Sequence, residues 1–111
     1  MQPDPRKFLF DAQQAAAGIV MFAAGKTVAD YKSDLMLRLA IERQFEIIGE
    51  ALTRLRKTDP SILQRITEHD RIIGFRNVLI HGYDNIDHDT TWRIIQEKLP
   101  VLRRELEELL K

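Results

Sequence analysis

Apolar residues recur along this chain at intervals of three and four rather than two, and that period predicts helices from one end to the other. The clearest run is Leu37, Ile41, Phe45, Ile48, Leu52 and Leu55, which marks one long amphipathic helix. Ahead of it, Asp4 followed by Pro5 has the form of an N-cap with proline in the first helical position, opening a helix that runs to about Gly25. Thr27-Val28-Ala29-Asp30 matches a capping box with a carboxylate in its fourth place, and leads through a short turn to Ser33 or Asp34 as the next cap. Asp59-Pro60 ends the long helix and starts a short one to about Ile66. A further helix opens between Thr67 and Asp70 and stops at Gly82. Asp87 or Asp89 caps a last helix carrying Trp92, Ile95, Leu99, Leu102, Leu106 and Leu109, with a kink expected at Pro100. Because the connections are short, the expected fold is all-α: an antiparallel bundle of four to five helices in a single domain over residues 1–111.

Composition narrows what such a bundle can do. A chain of 111 residues with 44% hydrophobic and 31% charged positions supports one core and is not a disordered tail. Seventeen basic residues balance seventeen acidic ones, so no overall positive field draws nucleic acid to the surface. That disfavours a coating protein but leaves room for a local cationic cleft. The absence of cysteine removes disulfides, zinc–thiolate sites and thiol catalysis together. The longest apolar stretch, Ala15 to Ala24, is far shorter than the roughly 18 residues of a membrane span. Asp4 and Asp11 flank Arg6 and Lys7, unlike the purely basic start of a signal peptide, so a cytoplasmic protein without a membrane segment is expected.

The helix over residues 70–83 carries the chemistry. On a wheel, Ile72, Phe75 and Leu79 share one apolar face, and Ile73 and Ile80 share another. A helix covered on two sides needs the core on one and a second subunit on the other, which makes homodimerisation an expectation. Between the two faces lies a stripe of Asp70, Gly74, Asn77 and His81, with Arg76 on its edge and Tyr83 aligned with Arg76 seven residues on. Polar groups crossing a buried helix are costly unless they are hydrogen-bonded or face a cleft.

Arginine and histidine together suit RNA cleavage. Histidine titrates near neutral pH and can take or give a proton, and arginine pairs bidentately with a phosphate as its charge grows. The RNA's own 2′-hydroxyl then serves as nucleophile, since His69, His81 and His88 have no metal-ligand spacing. Arg76 and His81 stand about 140° apart on an ideal helix, so they meet only if the helix end loosens at Gly82 or two subunits come together. Plainer roles exist for each residue. His81 can serve the negative end of its helix, Arg76 can pair with Glu46 or Glu50, Asn77 can be solvated, and Tyr83 can be an interface aromatic. The acidic loop from Asp84 to Asp89 around His88 is explained by helix caps.

Arg76-x4-His81-x-Tyr83, with Asn77 directly after the arginine, resembles the active-site signature of the HEPN superfamily in its HepT-like toxin form. Upstream, Arg43-Gln44-Phe45-Glu46-Ile47-Ile48-Gly49-Glu50-Ala51 is similar to the family's second block, although Gln44 stands where the family often has Asn. Asp87 and the stretch from Trp92 to Pro100 also fit, so the likeness covers nearly the whole chain. It implies a HEPN-like homodimer whose paired motifs form a cleft, acting as a metal-independent endoribonuclease on tRNA or mRNA. Arg76 and His81 would be catalytic, Asn77 would support them, and no metal or cofactor would be needed. The resemblance also implies the toxin of a type VII-like toxin–antitoxin pair. Its partner would be an MntA-like minimal nucleotidyltransferase that silences it by adding AMP to Tyr83. Phosphate placed there would compete with RNA for Arg76. The alternative is a non-catalytic helical partner that presents substrate to a nucleotidyltransferase and docks through the Tyr83 region. Arg43, Glu46, Glu50, Arg54 and Lys57 form a polar stripe on the long helix, of which Arg43 or Glu50 lines the cleft if Gly49 lets another helix come close; they stay outside the catalytic set.

Overall fold

A computed structural model describes residues 3–111, apart from the side chain of Tyr83. Helix α1 (Pro5–Ala23) starts where the Asp4 carboxylate accepts the Arg6 N–H at 2.9 Å, and it ends before Gly25, whose φ of 73° turns the chain. Its buried face alternates small and large residues, Ala12, Ala15 and Ala16 among Phe8, Leu9 and Ile19, so it can lie close on its neighbour. That neighbour is α3 (Leu35–Thr58), reached through the short α2 (Val28–Ser33). Both halves of the capping box form at α2: Thr27 N–H donates to Asp30 at 2.9 Å and Asp30 N–H to Thr27 at 3.1 Å. Asp34 then caps α3, and all six of its periodic residues from Leu37 to Leu55 are buried.

Asp59 caps α4 (Pro60–Leu63), and α5 (His69–His81) follows. Helix α5 starts within the expected window, but not on a side-chain cap. Glu68 precedes it in a left-handed conformation, φ 56°, with no side-chain cap. Its carboxylate is instead held by Lys98 at 3.2 Å and Arg71 at 3.4 Å. A 3-10 turn (Tyr83–Asn85) leads to α6 (His88–Glu97) and α7 (Leu99–Leu110). The expected single kinked helix is thus two helices broken at Lys98: Pro100 has no N–H to offer the carbonyl one turn back, and it sits instead in the first turn of α7. Counting the long elements, five helices build an all-α bundle, with α2 and α4 as short additions; no strand occurs among the described residues.

Two ties close the bundle across long sequence distances. The Arg6 guanidinium donates to the Leu110 carbonyl at 2.8 Å, joining the two ends, and Thr67 donates through both its N–H and its hydroxyl to Glu105 at 2.9 and 2.6 Å. The acidic loop does structural work: Asp87 caps α6, and Asp89 pairs with Lys32 of α2 at 2.8 Å. Beneath that pair Tyr31 is fully buried against Trp92 and edge-on to His88, and burial, then the Glu42 charge, push its phenol up to about 12.

The caps carry a pH dependence of stability. Backbone hydrogen bonds, that of Thr90 foremost, hold the Asp87 carboxyl below its usual range. A depressed folded-state value adds stability above the unfolded value and loses it as pH falls through the folded one. Asp87→Ala should therefore melt at a lower temperature than the parent at pH 7, with the gap closing as pH drops below about 4. Circular dichroism melts read this directly, and a gap independent of pH would contradict it.

Candidate active site

The site begins with a missing side chain. A Cβ built on Gly49 of α3 would lie 2.3 Å from Cβ and 2.8 Å from Cγ of Arg76 on α5, so the two helices touch backbone to side-chain stem at this point. One turn earlier on α3, Phe45 meets Phe75 edge-on with ring centroids 5.3 Å apart. The crossing of α3 and α5 is fixed by these two neighbouring contacts.

Held in this way, Arg76 cannot leave its neighbourhood, and its guanidinium finds three fates. Nη2 pairs with Oε2 of Glu50 at 2.8 Å, Nη1 donates to Oδ1 of Asn77 at 3.2 Å, and the buried Nε–H has no acceptor. Glu50 is shared: its other oxygen accepts from Nε of Arg54 at 3.0 Å. Arg43 pairs with Glu46 at 3.3 Å one turn before. Arg43, Glu46, Glu50, Arg54 and Arg76, with Asp11 of α1, line a groove of roughly 640 Å³ that runs along α3 between α1 and α5. Both Arg43 and Glu50 line this groove, and Gly49 lets α5 come close beside them.

Other expectations are corrected. Helix α5 is covered by the chain on one side, as expected of a single copy, but its polar stripe lies elsewhere than expected. Ile73 and Leu79 are buried and Ile72 and Phe75 partly so, yet Asp70, Gly74, Asn77 and His81 all face solvent. The polar stripe is an exposed face and not a crossing of the core. Ile73 and Ile80 also part company. Ile73 is taken up by the chain's own core, whereas Ile80 reaches the open groove and is 39% exposed beside Val78 at 45%. Arg76 lines the groove and His81 does not, so one copy of the chain does not bring the two into one cavity. The Tyr83 side chain lies outside the described residues. Arg54 joins the site through its i, i+4 spacing from Glu50, a signal that on its own marks only an ion pair. Among the described residues no three His, Asp or Glu side chains group to hold a metal ion, and no helix is long and apolar enough to cross a membrane.

Comparison with known proteins decides the family. The family described as Ribonuclease HepT-like matches residues 12–109. The chain belongs to that family. "Putative RNase MJ1380" of Methanocaldococcus jannaschii is 31% identical over 108 residues, 94% of each chain. "Putative RNase TTE0752" of Caldanaerobacter subterraneus is 29% identical over 107 residues, 96% of this chain and 95% of its own. "Probable ribonuclease HepT" of Thermococcus cleftensis is 28% identical over 115 residues, the whole of both. No solved structure matches the chain.

The crossing at Gly49 gives a paired prediction. Gly49→Ala should destabilise the fold by about 1–3 kcal/mol, because backbone and stem must separate. At Gly74, in the same helix as Arg76, a Cβ meets nothing within 4 Å, so Gly74→Ala should stabilise the chain by about 0.5–1 kcal/mol. Urea unfolding of the two variants beside the parent tests both signs.

Proposed function

We infer that this member of the HepT-like ribonuclease family is an endoribonuclease in which Arg76 and His81, supported by Asn77, cut a phosphodiester at a site made by two copies of the chain. The observation that carries this is the division of the motif between two places: Arg76 in a groove, His81 exposed on the last turn of the same helix and outside that groove. A two-fold pairing that covers the exposed Ile80, one turn from Arg76, lets His81 of one protomer face Arg76 of its partner. The 2′-hydroxyl adjacent to the scissile phosphate attacks phosphorus and the 5′-oxygen leaves. Histidine moves the proton, and arginine takes the charge that builds on the phosphoryl oxygens. The products are a 2′,3′-cyclic phosphate and a 5′-hydroxyl, and no metal ion takes part.

In this reading the protein works in the cytoplasm on tRNA or mRNA as the toxin of a toxin–antitoxin pair. A cognate MntA-like nucleotidyltransferase neutralises it by adding AMP to Tyr83. Tyr83 lies two residues beyond His81 in the chain, and the phosphate of an added AMP would compete with RNA for arginine.

Arg76→Ala and His81→Ala should each lower cleavage at least about 100-fold, with cyclic-phosphate ends made by the parent in EDTA. Mixing the two inactive variants tests the shared site. With two-fold symmetry, half the dimers are mixed and each holds one intact site, so about a quarter of the activity returns. No recovery would mean that each chain cuts alone, and full activity of both variants would leave only the non-catalytic partner. Incubation with ATP and the transferase should add one or more AMP masses to the peptide containing Tyr83, and to none in Tyr83→Phe.

A further inference from the structure

We propose that Arg54 and Arg76 form a two-arginine seat for an RNA phosphate, and that the Glu50 carboxylate occupies this seat until RNA displaces it. The proposal rests on the ribonuclease reading for its ligand, but the seat is defined by its own geometry.

Two guanidinium groups approach one carboxylate from opposite oxygens, Arg76 at 2.8 Å and Arg54 at 3.0 Å. Three groups carry two positive charges and one negative, so the cluster keeps one net positive charge, set against Asp11 across a groove whose formal charges sum to zero. A carboxylate and a phosphodiester offer arginine the same pair of anionic oxygens, and both are gripped by the guanidinium fork. The fork of Arg76 is not filled by Glu50. Its Nη2 is engaged, but the adjacent Nε–H is buried with no acceptor, and a buried donor left unpaired is costly. A phosphate bridging Nε and Nη2 satisfies both edges where Glu50 satisfies one.

Mobility favours the exchange. The Arg76 side chain is 26% exposed and its stem is locked against Gly49, whereas Glu50 and Arg54 are 40% and 60% exposed. Glu50 can swing away while Arg76 stays. Arg54 then contacts the same phosphate or the next along the strand, since it lies one turn further on α3 and lines the same groove. Glu46, paired only with Arg43, has no such shared position and serves as the internal comparison.

The test uses the full chain carrying His81→Ala, so that RNA stays uncut, and reads binding of a labelled single-stranded RNA oligonucleotide by fluorescence anisotropy over a salt series. Glu50→Gln should tighten binding about five-fold and Glu46→Gln less than about two-fold, while Arg54→Ala should weaken it about ten-fold and reduce the salt slope by about one. Matching melting curves confirm that each variant folds. If Glu50→Gln weakens binding or leaves it unchanged, the carboxylate is a positioning support for Arg76 and the displacement idea is wrong. Equal tightening by Glu46→Gln reduces the effect to general charge and also overturns it. An Arg54→Ala variant with parental affinity and slope removes Arg54 from the seat. Failure of the function is separable: a parent chain that binds with this pattern yet leaves RNA uncut refutes the ribonuclease reading and keeps the seat.

Discussion

Helices α3 and α5 can cross as closely as they do only because position 49 has no side chain, and the candidate site is a consequence of that contact. The stem of Arg76 lies on the α3 backbone, so its charged end emerges beside the next residue, Glu50, and within one turn of Arg54. One methyl group at position 49 would overlap the Arg76 stem, so the helices or the side chain would have to shift. The same seam holds the Phe45–Phe75 pair, so core packing and site geometry are set by one interface. A site built this way inherits the stiffness of the bundle, and only the carboxylate that faces it is free to move.

Much of the fold is legible because its signals are local. Asp4, Thr27 with Asp30, Asp34, Asp59 and Asp87 each satisfy orphan N–H groups within three residues, so a reader of the sequence sees the whole interaction. The apolar period of α3 is equally plain, and every residue in it is buried. What stays hidden depends on neighbours far along the chain. Ile73 and Ile80 occupy nearly the same angle on the wheel, yet one is roofed by the core and the other opens on a groove. Glu68 starts α5 without a cap because Lys98, thirty positions on, holds its carboxylate.

The candidate site was legible in part for the same reason. Arg76 could reach Glu46 or Glu50, and nothing in their spacing chooses; the crossing point at Gly49 chooses Glu50. Pairing of Arg76 with His81 belongs to a different level, since five residues on a helix face apart whatever the neighbours do. The motif therefore reads as a signature before it reads as geometry, and the geometry it needs is absent from a single copy.

Charge balance looked like an argument against RNA, and the groove shows why it is a weak one. Its arginines face carboxylates on the same surface, Arg43 paired with Glu46 and Arg54 and Arg76 sharing Glu50, and Asp11 brings the formal charge of the lining to zero. Exposed ion pairs of this kind are worth about 0–1 kcal/mol, so displacing Glu50 costs little, although at a distance the paired charges cancel. Such a protein exerts little long-range pull on nucleic acid and rewards only a strand that enters the groove and displaces the carboxylate. Neutral composition thus limits how RNA is found without limiting how firmly it is held, and it shifts discrimination from the encounter to the fit.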